Sequence, residues 1–260
     1  MTLLHMEIDR CIATVTLNRP EKRNALSKAL VQQLTALTAA CAKNPAVRVM
    51  VLQGNGPVFC AGADIEWMRS AQQLDHETNL ADAQLIARLM ATLAHFPKPL
   101  LIRAQGAAIG AGAGLVATAD IVVAAEETQF GFAEVRLGII PSVVAPYVIP
   151  KIGASQSRRY FLTSERVDAR TAERLGLVHT VVPASHLDAT IAQYTAQILS
   201  GGPEAIAASK AMILHNTPAI PQRRIDEMIE QLAEIRVTPE AQEGLSAFLE
   251  KRAPQWYRNG

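Results

Sequence analysis

The sequence predicts an α/β fold with a helical C-terminal region. Short β-rich runs recur at residues 11–17, 47–53, 100–105 and 121–125, and helical patterns lie between several of them. After Val182-Pro183 the strand signals stop, and only helical segments remain, separated by Gly201-Gly202-Pro203, Pro218 to Pro221 and Thr238-Pro239. At 260 residues and 49% hydrophobic, the chain has enough apolar material for one large domain, or one domain with a small appendage.

The first helix is the clearest. Ser27 is a good N-cap, Leu30, Val31, Leu34, Leu37 and Cys41 form one apolar stripe, and Asn44-Pro45 ends it. A second helix is expected from about Leu80, with Leu85, Ile86, Leu89, Met90 and Leu93 on its apolar face and Pro97 as its stop. The last helix has Thr238 as N-cap, Pro239 at its first position, acids in its first turns and Lys251-Arg252 at its end, in keeping with the helix dipole.

Charge and cysteine usage exclude several classes. Lys plus Arg number 25 against 24 Asp plus Glu, so no overall field favours nucleic acid or an anionic membrane. Cys11, Cys41 and Cys60 are odd in number and lack CxxC spacing, which argues against a disulfide framework or structural zinc. The six histidines show neither i, i+4 nor HExxH spacing, so no metal site is expected. The N-terminus has no apolar targeting core and no later apolar run is long enough for a span, so a cytoplasmic chain without a membrane partner is the expectation.

Two segments carry chemistry. Phe59-Cys60-Ala61-Gly62-Ala63-Asp64-Ile65 follows an apolar strand and a Gly54-Asn55-Gly56-Pro57 turn, so small residues leave backbone amides approachable where a helix starts. The same residues also fit an ordinary strand-to-helix turn with Asp64 as N-cap. In Gly106-Ala107-Ala108-Ile109-Gly110-Ala111-Gly112-Ala113-Gly114, glycines precede an apolar stretch, which suits either close ligand approach or close helix packing. Its GxGxG spacing keeps a doubly wound dinucleotide fold open, although no acidic residue follows at the position such a fingerprint requires. Cys60 has no flanking histidine motif and is expected to pack as a small hydrophobe.

Taken together, FCAGADI and the G-x-x-x-G-x-G segment resemble the two signature regions of the crotonase superfamily of enoyl-CoA hydratases and isomerases. Leu17-Asn18-Arg19-Pro20, Asn24-Ala25-Leu26, Ala119-Asp120-Ile121, Phe130-Gly131, Glu134-Val135, Leu137-Gly138, Ile140-Pro141 and Leu175-Gly176-Leu177-Val178 support the resemblance in family order. It implies a crotonase spiral of repeated ββα units over residues 1–199, holding an acyl-CoA site. Residues 200–260 would form a helical region that builds a homotrimer or a dimer of trimers.

The resemblance also implies the site residues. The backbone N–H groups of Ala63 and Ala111 map onto the oxyanion hole and Glu134 onto a catalytic glutamate. A second glutamate of the best-known hydratases maps onto Gly114, so one carboxylate is absent. Ala61, Asp64 and Ile65 match the turn around CoA; Phe248 and Lys251 match a C-terminal aromatic and lysine that reach CoA across a subunit interface. Glu66 stands where relatives often have a cation for the 3′-phosphate, and Arg23 is a further candidate cation. Coenzyme A is part of the substrate and no separate cofactor is implied.

Hydration of a 2,3 double bond leads this reading, because residues 134–148 and 158–163 resemble a bacterial branch that hydrates branched glutaconyl-CoA esters such as methylglutaconyl- and isohexenylglutaconyl-CoA. Leucine catabolism or terpene breakdown would supply such substrates. A 3,2-enoyl-CoA isomerase needing only Glu134 is the alternative. A non-catalytic acyl-CoA-binding or RNA-binding relative is a third, and no basic stripe supports the RNA version.

Overall fold

The computed structural model describes residues 2–71, 75–217 and 220–257. In chain order its strands are β1 (Leu4–Asp9), β2 (Ile12–Leu17), β3 (Val49–Gly54), β4 (Leu100–Ala104), β5 (Ala107–Ile109), β6 (Ile121–Ala125), β7 (Gln129–Gly131), β8 (Val167–Asp168) and β9 (Thr180–Val182). Its helices are α1 (Lys28–Lys43), α2 (Ile65–Ala71), α3 (His76–Ala94), α4 (Ala111–Thr118), α5 (Ala145–Thr163), α6 (Ala169–Arg174), α7 (Leu187–Ser200), α8 (Pro203–Asn216), α9 (Gln222–Arg236) and α10 (Pro239–Leu249).

Six strands form the main sheet in the order β1-β2-β3-β4-β6-β9, antiparallel only between β1 and β2. A smaller sheet, β5-β7-β8, stands apart from it. The central strands are apolar on both sides because both faces are covered, as parallel sheets require. Met50, Leu52, Leu100 and Ile102 pack with Leu30, Leu34, Leu89 and Met90 of α1 and α3 on one face. Val49, Val51, Leu101 and Val123 pack with Leu187 and Ile191 of α7 on the other. The Ala83, Ala87, Ile229 and Leu232 cluster joins α3 to α9, which brings the C-terminal helices over the body of the same chain.

Ser27 caps α1 through the N–H of Leu30, and Thr238 caps α10 through that of Ala241, as expected. Other boundaries move. Cys11 lies in the β1-β2 turn rather than in a strand, with Arg10 and Cys11 at φ 44° and 66°, the positive values that a two-residue hairpin turn demands. The second helix begins at His76, not near Leu80, because Asp75 accepts from the Thr78 N–H and fixes the start. The last helix stops at Leu249, and Lys251 follows it at φ 55°. Among the described residues no helix is long and apolar enough to cross a membrane.

Candidate active site

Three backbone pairings shape the site. The Leu26 N–H donates to Gly62 O at 2.7 Å and the Asp64 N–H to Leu26 O at 3.0 Å. Successive peptide groups of an extended segment point to opposite sides, so the N–H of Ala63 faces away from Leu26. Cys60 pairs with β5 through Cys60 N–H to Ala107 O and Ile109 N–H to Cys60 O, both 3.1 Å. The Gly110 N–H then donates to Gly131 O at 2.8 Å, after which α4 begins at Ala111. The amide of Ala111 is a first-turn helix donor with no intrahelical partner. Among the described residues, neither the Ala63 nor the Ala111 N–H meets a protein acceptor.

Asn24 and Gln105 hold the loop before this segment. Buried Asn24 donates to Asn55 O at 2.9 Å and Val58 O at 2.7 Å while accepting from the Arg19 N–H at 2.9 Å. Gln105 donates to Gly54 O at 2.7 Å and Gly56 O at 3.0 Å. Gly62 (φ 98°), which directly precedes Ala63, lies close to the Ala111 turn: a Cβ on it would be 2.8 Å from Ile109 O and 4.0 Å from Ala111 N. Only glycine suits that backbone and that approach.

Glu134 opens the short turn 134–137 after β7. Its carboxyl rests against Gly110 (φ 53°), whose Cβ would be 3.1 Å from Glu134 Oε1. The acid therefore stands over the residue preceding the Ala111 donor. Its Oε2 is buried without a hydrogen-bond partner among the described residues, and burial pushes the pKa up to about 7, opposed by its own backbone N–H. A carboxyl poised there can take a proton and return it. Gly114 is buried in α4, and a side chain on it would collide with Val144 Cγ1 and lie 3.1 Å from Met90 Cε. A side chain at Gly114 would thus meet hydrocarbon.

A pocket of about 410 Å³, including its open mouth, adjoins Ala63. Trp67 and Met68 of α2, Ile86 of α3, Leu245 of α10 and the loop residue Ile139 give it apolar walls, and among the described residues Arg236 at the end of α9 is its one charged lining residue. None of these residues stood out in the sequence. Arg236 there looks like an ordinary basic residue closing a helix.

The expected CoA residues are less uniform. The Ala61 N–H is taken by Arg23 O at 3.0 Å, so its carbonyl is the group left for a ligand. Asp64 turns inward: its carboxylate pairs with Arg19 at 2.7 Å and caps α2 through the Glu66 N–H at 2.8 Å. Burial opposes its ionisation, but Arg19 and these amides outweigh that and hold its pKa below the usual carboxylate value. Asp64 therefore builds the turn, and its side chain is not offered to CoA. Ile65 is half exposed beside it, and Glu66 pairs with Lys22 at 3.0 Å, which offsets its charge. Phe248 and Lys251 lie exposed at the end of α10. Cys60 is fully buried, with its thiol pKa pushed up to about 12 by burial, consistent with a packing role.

Residues 7–259 match the enoyl-CoA hydratase/isomerase family. The 2,3-dehydroadipyl-CoA hydratase of Escherichia coli strain K12 is 34% identical over 246 residues, covering 94% of each chain. A crystal structure of an enoyl-CoA hydratase from Shewanella pealeana superposes with a TM-score of 0.80 at 38% identity, covering 98% of this chain and 96% of that one. One from Mycobacterium avium gives 0.86 at 36% identity, covering 99% and 100%. The fold is the crotonase fold anticipated from the signature segments, and the chain belongs to the enoyl-CoA hydratase/isomerase family.

Proposed function

We propose that the chain hydrates the 2,3 double bond of an enoyl-CoA, with the Ala63 and Ala111 amides as its oxyanion hole and Glu134 as its only acid/base. The carrying observation is that two backbone donors without acceptors among the described residues flank Gly62, while the Glu134 carboxyl rests on Gly110. A water oxygen bonds to C3 as its proton passes to Glu134. The C2–C3 π electrons move onto the thioester, and the two amides hold the enolate oxygen. Glu134 then returns the proton to C2. Each such donor is worth roughly 10²–10³ in turnover. A pKa of about 7 suits an acid that must both accept and release a proton near neutrality.

The missing carboxylate at Gly114 favours a second reading. An isomerase requires one group to carry a proton from C4 to C2, which Glu134 could do alone. Hydration keeps the lead because the named relatives are hydratases and residues 134–148 resemble hydratases of branched glutaconyl-CoA esters. Supplying crotonyl-CoA, a 3-enoyl-CoA and 3-methylglutaconyl-CoA separately, and following thioester absorbance and products, tests both. Conversion of the 3-enoyl ester without hydration of either 2-enoyl ester would overturn the lead.

The reading needs no cofactor beyond the CoA of the substrate. It places the protein as a homotrimer or dimer of trimers, supported by exposed Met212 and Ile213 on α8 and Leu162 on α5. Phe248 and Lys251 remain proposed CoA contacts across that interface, and residues 200–260 the proposed oligomerisation region.

A further inference from the structure

Arg236 is out of place in an apolar pocket. Burial among α2, α3 and α10 lowers its pKa from the ordinary guanidinium value while nearby Asp82 works the other way. The guanidinium stays charged at any physiological pH, so its desolvation has to be offset by a negative charge. Asp82 does not supply that charge in full. One oxygen pairs with Lys28 Nζ at 2.9 Å and the other accepts from Trp67 Nε1 at 2.6 Å. Lys28, Asp82 and Arg236 together leave one positive charge over. Among the described residues, the Arg236 guanidinium makes no hydrogen bond or ion pair, though its backbone carbonyl accepts from Gln242 Nε2 at 2.7 Å, and the side chain lines the pocket.

The same pocket reaches Ala63, where the thioester oxygen sits in the proposed mechanism. An acyl chain held there by its carbonyl runs between Trp67, Met68, Ile86 and Leu245, all apolar, and Arg236 is the polar group available to it. We infer that Arg236 binds a free carboxylate at the far end of the acyl chain, making CoA monothioesters of unsaturated dicarboxylic acids the preferred substrates. A planar guanidinium suits a carboxylate, which it can grip with two parallel N–H bonds. The apolar walls exclude water and strengthen that pairing. This inference rests on the acyl group occupying the Ala63 pocket, as the proposed function requires.

The test compares hydration of glutaconyl-CoA and 3-methylglutaconyl-CoA with that of their ω-methyl esters and crotonyl-CoA. Wild type should favour each free acid over its ester by roughly tenfold or more in kcat/KM, the scale of a hydrogen bond to a charged group. Arg236→Met should collapse that ratio towards one through KM on the acid, and Arg236→Lys should restore part of it. No acid-over-ester preference in wild type would overturn the inference, and that arm needs no variant. So would an Arg236→Met protein that loses activity equally on acid and ester, or that binds free CoA more weakly, which would make Arg236 a structural or nucleotide contact. Calorimetry with glutaryl-CoA and butyryl-CoA separates the two ideas. If no enoyl-CoA is hydrated yet glutaryl-CoA binds more tightly than butyryl-CoA in an Arg236-dependent way, the hydratase reading fails and this one stands.

Discussion

Val144 Cγ1 occupies the space that any side chain on Gly114 would need, so the absence of a second glutamate is built into the packing of α4 against the start of α5. Gly114→Glu accordingly does not restore a two-glutamate site. It forces a charged side chain into hydrocarbon, and overpacking alone costs about 1–3 kcal/mol. Urea unfolding should show a loss of at least that size. Val144→Ala in the same chain should recover part of it. A Gly114→Glu protein of unchanged stability would refute this account.

Glu134→Gln keeps size and hydrogen bonding but removes the proton acceptor. Turnover should fall roughly 10²–10⁴-fold while affinity for a saturated acyl-CoA changes little. Normal turnover on every enoyl-CoA would send the search for the base elsewhere.

The raised pKa of Glu134 also fixes a pH dependence. As base, Glu134 must be ionised, so kcat/KM should rise with pH to a plateau with its midpoint near 7. Stability changes in the opposite direction to activity as pH rises. The folded state holds this proton more tightly than the unfolded chain, so its contribution is fully present below the unfolded pKa and is lost as pH rises through about 7. Glu134→Gln should therefore gain melting temperature relative to wild type at pH 8 and not at pH 4. A pH-independent difference would show that the group titrates normally.

Ala111 is the first residue of α4, a position where proline is tolerated because its missing N–H has no helical partner. Ala111→Pro should fold and still lose about a hundredfold or more in turnover, whereas Ala63→Gly should retain appreciable activity. Full activity in a folded Ala111→Pro protein would remove that amide from the site.

Sedimentation at micromolar concentration should give a trimer or hexamer, since α8 leaves Met212 and Ile213 more than half exposed. A monomer would contradict the assembly and with it the CoA roles of Phe248 and Lys251.

The segments around Ala63, Ala111 and Glu134 were legible in the sequence as small residues after a strand, a glycine-rich helix start and a dense motif, and the proposed roles of these residues came from the resemblance of those segments to a family. Strand β1 was not, since five of its six residues are exposed and it carries no alternation of buried positions. The pocket was not legible either. Ile86, Ile139, Arg236 and Leu245 are far apart in the chain, and each looks like an ordinary helix or loop residue until α9 and α10 fold back. Asp64 could be read two ways from sequence, and its pairing with Arg19 decides for the turn-building one.

That fold-back has a consequence for synthesis. Every group proposed to touch the thioester lies at or before Glu134, whereas Arg236 and Leu245 belong to α9 and α10, which are synthesised well after it. Until then Trp67, Met68 and Ile86 form an uncovered greasy trough beneath a finished polar apparatus, so a stalled chain lacking α9 and α10 should bind a hydrophobic dye that the whole protein ignores. A chain stopped before α9 therefore leaves that trough open, and its need for a chaperone should be greatest there.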